Sequence, residues 1–141
     1  IGAGMLGMTV HVATPVGYEL SESDVARIIA TGADLQTTND PLAAVAGASV
    51  VYTDVWASMG QESEADKRRA AFSGFTVDNA MMANAAADAI FMHCLPAHRG
   101  EEVEASVIDG PKSVIWREAY HRRTTIQALL YHLTRGELKG N

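Results

Sequence analysis

Two segments of the sequence carry polar side chains of the kind that bind small molecules, and each directly follows a run of β-branched or apolar residues. The first segment, residues 54–62, begins with Asp54 and continues through Ser58, Met59 and Gly60. A carboxylate can bind an ammonium group, a hydroxyl adds a further polar contact, and glycine leaves backbone N–H groups accessible to a carboxylate. This combination fits an α-amino acid. Taken alone, Asp54 is more typical of a helix cap or a turn than of a ligand-binding residue.

The second segment, residues 93–100, reads HCLPAHRG and permits three chemical interpretations. A metal site could use His93, Cys94 and His98, but three ligands on one loop without a fourth elsewhere is poor zinc spacing. Cys94 could be a nucleophile beside a histidine base, although the residues after it form no sharp elbow that would expose the thiol. The third interpretation is a loop that binds a small substrate. Simple packing of Cys94 in the core is also open, because free cysteine is among the most buried residue types.

The elements that must position these segments alternate between strand-like and helix-like patterns. Strands are predicted at 9–14, 34–38, 49–53, 89–92 and 113–116. Helices are predicted after Ser21, after Asp40–Pro41, and at 62–71, 78–86, 102–108 and 118–135. This order predicts an α/β fold, a three-layer sandwich in which a parallel sheet is flanked by helices.

The predicted sheet places the two polar segments together. Ligands of such sheets bind beyond the carboxyl ends of the strands, and both segments directly follow a strand. We therefore expect the candidate site residues to converge at one edge of the sheet: Asp54, Ser58, Met59, Cys94 and Leu95.

The segment Gly2–Gly7, with sequence GAGMLG, matches the glycine pattern of dinucleotide-binding folds. That pattern binds phosphate only when a strand precedes it and a long helix follows it. Here only Ile1 precedes it, and the predicted strand at 9–14 follows almost at once. A short apolar helix end over residues 1–8, packed on the sheet, is the better interpretation.

Composition limits the class of protein. The 141 residues are 48% apolar and 20% charged, which fits one globular domain. The net charge is −6 and residues 1–66 contain a single basic side chain, Arg27, which argues against a nucleic-acid surface. The basic run Lys67–Arg69 is predicted to be a solvated helix face. No apolar run reaches membrane-spanning length, and a single cysteine, Cys94, suits a reducing compartment.

Taken together, several segments resemble the ornithine carbamoyltransferases. VYTDVW at 51–56 with SMGQE at 58–62, and HCLPAHRGEE at 93–102, carry the resemblance, and ATP at 13–15 with GYE at 17–19 supports it. It covers most of residues 1–119. The Ser-Met-Gly loop combined with the His-Cys-Leu-Pro loop favours ornithine over the aspartate and putrescine used by related families.

The resemblance implies a reaction and a role for each site residue. The δ-amine of L-ornithine would attack the carbonyl carbon of carbamoyl phosphate, giving citrulline and phosphate. Asp54 and Ser58 would hold the α-amino group of ornithine, and the backbone of Met59 its carboxylate. Cys94 would lie beside the reacting amine, and the carbonyl groups of Cys94 and Leu95 would bind the carbamoyl NH2. Neither a cofactor nor a metal is implied.

The resemblance also implies an arginine near the start of the last helix that contacts carbamoyl phosphate. Counting from His93 without gaps places it at Arg122, so Cys94 and Arg122 are the predicted catalytic residues. Residues 120–125 depart from the usual family pattern, which leaves Arg123 as a rival.

The family comparison further implies a division of the chain. Residues 1–116 would form the ornithine-binding domain, and residues 117–141 a helix that packs on a carbamoyl-phosphate-binding domain. The Ser-Thr-Arg-Thr loop of that domain and an Asn-rich loop are absent from the 141 residues, and the stretch 18–40 is shorter than usual. We expect a fragment or truncated gene product that is inactive alone.

The resemblance implies a cytoplasmic homotrimer that acts in arginine biosynthesis or the urea cycle, without nucleic-acid or membrane partners. A non-catalytic amino-acid-binding or regulatory module is the alternative.

Overall fold

A computed structural model describes residues 1–57 and 62–135 of the chain. Its four strands form two parallel pairs: β1 (Val10–Ala13) with β2 (Leu35–Thr38), and β3 (Val50–Thr53) with β4 (Ile90–His93). Seven α-helices of the described residues surround them: α1 (Gly2–Met5), α2 (Glu22–Ile29), α3 (Pro41–Val45), α4 (Ala65–Ala71), α5 (Asn79–Asn84), α6 (Ala105–Ile108) and α7 (Ile115–Thr134). The predicted α/β fold, with parallel strands flanked by helices, is confirmed.

Two helices begin where the sequence predicts. The Ser21 hydroxyl accepts a hydrogen bond from the Asp24 amide at 3.1 Å, and an Asp40 carboxylate oxygen accepts one from the Leu42 amide at 2.9 Å. Such N-caps satisfy amides of the first turn that have no partner within the helix. Local side chains therefore fix the starts of α2 and α3.

The core lies around β3 and β4. Phe91 and Val103 are completely buried there. The remaining apolar core residues are Val51, Val77, Met81, Met82, Ala89, Val107, Ile108 and Ile115. This cluster supports the carboxyl ends of β3 and β4, from which both polar segments extend.

The strand predicted at 113–116 is wrong. Ser113 makes a single parallel bridge to Phe91, and α7 already begins at Ile115. Residues 112–114 join β4 through two backbone hydrogen bonds, from the Phe91 amide to the Lys112 carbonyl and from the Val114 amide to the Phe91 carbonyl. Burial of Ile115 in the core needs no extended backbone, so a β-branched run does not by itself require a strand. The proposed boundary between residues 116 and 117 falls inside α7.

The glycines at the N-terminus serve packing. A Cβ atom at Gly4 would lie 2.4 Å from the Thr31 hydroxyl oxygen and 2.6 Å from the Ala33 Cβ. Glycine therefore lets α1 approach the turn between α2 and β2 closely. The short helix predicted over residues 1–8 is confirmed as Gly2–Met5.

No helix within residues 1–57 and 62–135 is both long enough and apolar enough to cross a bilayer.

Candidate functional site

Asp54 and Cys94 meet at the carboxyl ends of β3 and β4. Thr53 lies in register with His93 in this parallel pair, so the next residue of each strand enters the same space. The Cys94 Sγ donates a hydrogen bond to Asp54 Oδ1 at 3.0 Å. The structure thus brings together the starts of the two segments that the sequence singled out. The predicted site residues Ser58 and Met59 lie outside the described residues.

The surroundings of Cys94 favour its protonated form. Burial raises the pKa of the Cys94 thiol, and the hydrogen bond to the Asp54 carboxylate raises this pKa further, since a thiolate beside a carboxylate is repelled. A cysteine acts as a nucleophile or metal ligand through its thiolate. Cys94 is therefore a neutral hydrogen-bond donor in this site.

Arg122 reaches the same site from α7. Its Nη1 donates to the backbone carbonyl of Cys94 at 2.9 Å. The neighbouring Arg123 instead places its guanidinium over the Tyr120 ring, 5.0 Å from the ring centroid. Of the two arginines considered in the sequence, Arg122 is the one beside Cys94. A carbonyl oxygen has two lone pairs, so that of Cys94 can accept a second hydrogen bond.

Glu118, which the sequence analysis missed, ties α7 to both strands of the site. Its Oε1 accepts from the Tyr52 hydroxyl at 2.9 Å, and its Oε2 accepts from the His93 amide at 3.1 Å. Burial and the Glu118 carboxylate raise the pKa of Tyr52. Glu118 lies four residues before Arg122, a spacing that puts both on one helix face. That spacing is the sequence signal that could have identified it.

The buried side chain of His93 holds the backbone of the loop that follows β4. It is fully buried, its Nδ1 accepts from the Leu95 amide at 2.9 Å, and its Nε2 lies 3.3 Å from Glu102 Oε1. Because Nδ1 is an acceptor, the ring proton lies on Nε2 and is donated to Glu102. Glu102 Oε1 also accepts from the His98 amide at 2.6 Å. Both ring nitrogens of His93 therefore hold protein groups, which argues against His93 as a base for Cys94 or as a metal ligand.

The loop that follows β4 has an unusual backbone at Leu95 and Pro96. Leu95 adopts a left-handed conformation with φ of 58°, and the Leu95–Pro96 peptide bond is cis. Left-handed backbone is uncommon for residues other than glycine. The bonds from His93 and Glu102 to the backbone on either side hold this conformation in place.

Two groups of side chains among the described residues lie close enough to share an ion: Asp54 with His93 and Cys94, and His98 with Glu101 and Glu102. The metal set considered in the sequence, His93 with Cys94 and His98, is neither of these groups. In the first group His93 is already engaged on both nitrogens and the Cys94 thiol is protonated. We assign no metal to this first group.

Aromatic residues position the start of the loop after β3. Trp56 stacks on Phe72 with ring centroids 5.8 Å apart, and Tyr18 packs edge-on against Phe72 at 5.1 Å. Arg68 donates to the Trp56 carbonyl at 3.2 Å and lies over the Tyr18 ring.

The prediction that residues 67–69 form a solvated helix face is wrong at Arg68, because this side chain is largely covered by Trp56 and Tyr18. Lys67 and Arg69 are exposed, as predicted, and Arg69 pairs with Asp66 and Glu101 at the surface.

Residues 1–133 match the family model described as "Aspartate/ornithine carbamoyltransferase, Asp/Orn binding domain". Among curated proteins, the chain is 53% identical over 136 residues to an ornithine carbamoyltransferase of Paracidovorax citrulli, covering 96% of this chain and 43% of that protein. It is 55% identical over 137 residues to one of Bordetella pertussis, with coverage of 96% and 43%.

Solved structures of ornithine carbamoyltransferases are also similar to this chain. The ornithine carbamoyltransferase of Pyrococcus furiosus has a TM-score of 0.85 and 46% identity over 96% of this chain and 44% of its own. The anabolic enzyme of Campylobacter jejuni has a TM-score of 0.88 and 34% identity over 95% of this chain and 46% of its own. This chain thus spans less than half the length of the relatives that it matches.

Proposed function

This chain belongs to the aspartate/ornithine carbamoyltransferase family, and from that premise we propose that it supplies the ornithine-binding half of an ornithine carbamoyltransferase. The observation that carries the proposal is the convergence of Asp54, Cys94 and Arg122 at the ends of β3 and β4. The relatives that it resembles over 96% of its length bear that enzyme's name.

In the proposed reaction, the neutral δ-amine of ornithine forms a bond to the carbonyl carbon of carbamoyl phosphate. The tetrahedral intermediate then collapses, the carbon–oxygen bond to phosphate breaks, and phosphate leaves with the electron pair while the amine nitrogen loses a proton. Positioning of both substrates and placement of charge supply most of the rate enhancement in such a reaction. No covalent bond to the protein is required.

Asp54 supplies the negative charge for the α-amino group of ornithine. It is exposed, it directly follows β3, and its Oδ1 already accepts from the Cys94 thiol. Among the described residues no hydrogen bond involves its Oδ2, which can meet an ammonium group. Ser58 is proposed to bind the same amino group, and the backbone of Met59 the carboxylate.

Cys94, Leu95 and Arg122 act at the carbamoyl group. The protonated Cys94 thiol orients the reacting amine, and the carbonyl groups of Cys94 and Leu95 bind the carbamoyl NH2. Arg122 contacts carbamoyl phosphate through its guanidinium, whose planar donors suit phosphate and carbonyl oxygens. The bond from Arg122 to the Cys94 carbonyl holds that guanidinium within reach of the site.

The helix α7 is proposed to dock on a carbamoyl-phosphate-binding domain. It exposes Trp116 at 72%, with Ile126, Leu130 and Tyr131 each more than half exposed. A row of exposed apolar side chains on one helix is typical of an interface. The proposal extends to a cytoplasmic homotrimer that acts in arginine biosynthesis or the urea cycle.

A complementation assay tests the proposal. We expect no citrulline from the purified 141-residue chain with ornithine and carbamoyl phosphate, because among the described residues Arg122 is the one cation hydrogen-bonded at Cys94 that could meet a phosphate dianion. Adding a separately produced carbamoyl-phosphate domain from a relative is expected to produce citrulline.

Two matched variants make the assay specific. Arg122→Ala should abolish the restored activity, whereas Arg123→Ala, on the same helix but over Tyr120, should retain most of it. Citrulline formed by the chain alone would show that the phosphate site is misplaced. Ornithine binding without any complementation would favour a non-catalytic amino-acid-binding module instead.

A further inference from the structure

The carboxylate of Glu102 is fully buried and is hydrogen-bonded through only one of its two oxygens within the described residues. Its Oε1 lies 3.3 Å from His93 Nε2 and accepts from the His98 amide at 2.6 Å. Its Oε2 is buried without a hydrogen-bond donor among the described residues. A buried carboxylate oxygen is destabilising unless a donor or a cation meets it. The protein groups described so far therefore leave Glu102 Oε2 unsatisfied.

The imidazole of His98 lies beside this unpaired oxygen. His98 Nδ1 is 3.8 Å from Glu102 Oε2, which is too far for a hydrogen bond. One possible ligand atom from each of His98, Glu101 and Glu102 lies within 4.8 Å of the other two. Ligand atoms bound at about 2.0–2.2 Å to a tetrahedral zinc ion lie about 3.4 Å apart. The separation of Nδ1 and Oε2 is therefore close to that of two ligands of one ion.

The backbone that carries these side chains is anchored to the core. The Val77 amide donates to the Glu102 carbonyl at 3.0 Å, and the adjacent Val103 is fully buried. The Glu101 amide donates to the His98 carbonyl at 3.0 Å, which closes a turn between two of the three side chains. The positions of the three residues are thus fixed by the fold, and this preorganisation reduces the entropy lost when a ligand binds.

The types of ligand atom indicate which ion would bind. Zinc accepts imidazole nitrogen together with carboxylate oxygen, whereas magnesium and calcium prefer oxygen ligands alone. Three protein ligands leave the fourth position of a tetrahedral zinc ion for water. The His98 side chain is 55% exposed and that of Glu101 is 32% exposed, so an ion can enter from solvent. Arg69 lies 3.2 Å from Glu101 Oε1, and its positive charge weakens the attraction for a cation.

We propose that His98 Nδ1, a carboxylate oxygen of Glu101 and Glu102 Oε2 form a zinc-binding site. The buried, unpaired Oε2 is the observation that carries the proposal, because a cation would satisfy it. The sequence analysis grouped His98 with His93 and Cys94, but the fold engages both nitrogens of His93 and brings the two glutamates to His98 instead. This inference does not depend on the proposed catalytic function.

Calorimetric titration of the metal-free chain with zinc chloride tests the site. Every protein in the series carries Cys94→Ser, so that the thiol supplies no zinc ligand. We expect one zinc ion to bind per chain and magnesium chloride to give no binding at the same concentrations. Adding His98→Ala should weaken zinc binding at least about tenfold, since even the loss of an outer-shell partner commonly has that effect. This variant is expected to fold, because the side chain is exposed and the backbone amide that bonds to Glu102 is retained.

Two matched pairs of variants make the titration specific. His121→Ala, exposed on α7 and outside the group of ligands, should bind zinc as tightly as the Cys94→Ser chain. Arg69→Gln removes the charge paired with Glu101 and should strengthen zinc binding severalfold, whereas Lys67→Gln, exposed on the same helix, should leave it unchanged.

Four results would overturn the zinc site. They are the absence of zinc binding to the Cys94→Ser chain, unchanged affinity in His98→Ala, an equal loss of affinity in His121→Ala, and magnesium binding as tight as that of zinc. Equal effects of Arg69→Gln and Lys67→Gln would contradict the assignment of Glu101 as a ligand. Circular dichroism of each variant confirms that a loss of binding does not reflect a loss of fold.

Discussion

The thiol of Cys94 and the carboxylate of Asp54 are hydrogen-bonded across 3.0 Å, although 40 residues separate them in the sequence. The bond joins the first residue after β3 to the first residue after β4. It favours the protonated thiol, and within the described residues it leaves Asp54 Oδ2 without a hydrogen-bond donor, so that this oxygen can meet a cation. The chemistry proposed for the site depends on both properties.

The first prediction concerns thiol reactivity. Burial and Asp54 raise the pKa of Cys94, so at neutral pH the thiolate fraction is small and alkylation by iodoacetamide is slow. Asp54→Asn removes the negative charge, lowers the pKa of Cys94 and increases the alkylation rate at a fixed pH below that pKa. Mass spectrometry of the modified protein over time measures the rate. Asp88→Asn, an exposed carboxylate elsewhere on the chain, should leave the rate unchanged; equal acceleration in both variants would contradict the assignment.

The second prediction separates the two substrates. In the enzyme assembled from both domains, Asp54→Ala is expected to weaken ornithine binding by about 1.5–3 kcal/mol, the usual contribution of a hydrogen bond to a charged group. Carbamoyl phosphate binding should change far less, because Asp54 is assigned to the α-amino group of ornithine. Calorimetric titration with each ligand measures both affinities. Equal losses of affinity for the two ligands would contradict the assignment of Asp54 to ornithine.

The third prediction concerns the attachment of α7. Glu118→Gln should lower the free energy of unfolding by about 1–2 kcal/mol, since a neutral amide oxygen is a weaker acceptor for Tyr52 and for the His93 amide. Tyr52→Phe removes only one of these bonds and should have a smaller effect. Urea denaturation followed by circular dichroism provides the measurement. Glu104→Gln is the control, because Glu104 begins α6 without a side-chain cap bond. A similar loss in that variant would contradict a specific role for Glu118.

The fourth prediction concerns the buried support of the loop. Glu102→Ala removes the acceptor of His93 Nε2 and of the His98 amide, and should destabilise the fold by roughly 3 kcal/mol or more, since each buried donor left unpaired costs about 1–3 kcal/mol. Glu102→Gln keeps an acceptor oxygen and should lose less. Thermal unfolding of the two variants is compared with that of the original chain. If both variants unfold like the original, the hydrogen bonds to Glu102 contribute nothing to stability.

Local patterns were sufficient for the fold class. β-branched or continuous apolar runs located the four strands, and Ser21 and Asp40 located two helix starts. The meeting of Asp54 and Cys94 was also predictable, because each residue directly follows a parallel strand and the two strands are neighbours. These inferences need only short-range propensity and the known edge at which such sheets bind ligands.

Long-range partners were not predictable in the same way. Glu118 bonds to Tyr52, 66 residues away, and to the His93 amide, 25 residues away. Nothing beside Glu118 in the sequence indicates either partner. The helix start at Ile115 was missed for a related reason, since its β-branched neighbourhood favours a strand and only packing against the core decides otherwise. The division of the four described strands into two separate pairs likewise cannot be read from local patterns.

The backbone of Leu95 limits how this loop can change in evolution. A non-glycine residue in left-handed backbone is destabilising by about 1–3 kcal/mol, and Leu95 has φ of 58°. Glycine would relieve this strain, yet it would also widen the range of backbone conformations open to the carbonyl groups on either side. The Leu95 side chain also packs against the hydrophobic core, and glycine would lose that contact. Leucine at this position therefore combines apolar packing with a fixed carbonyl geometry, and glycine would supply neither.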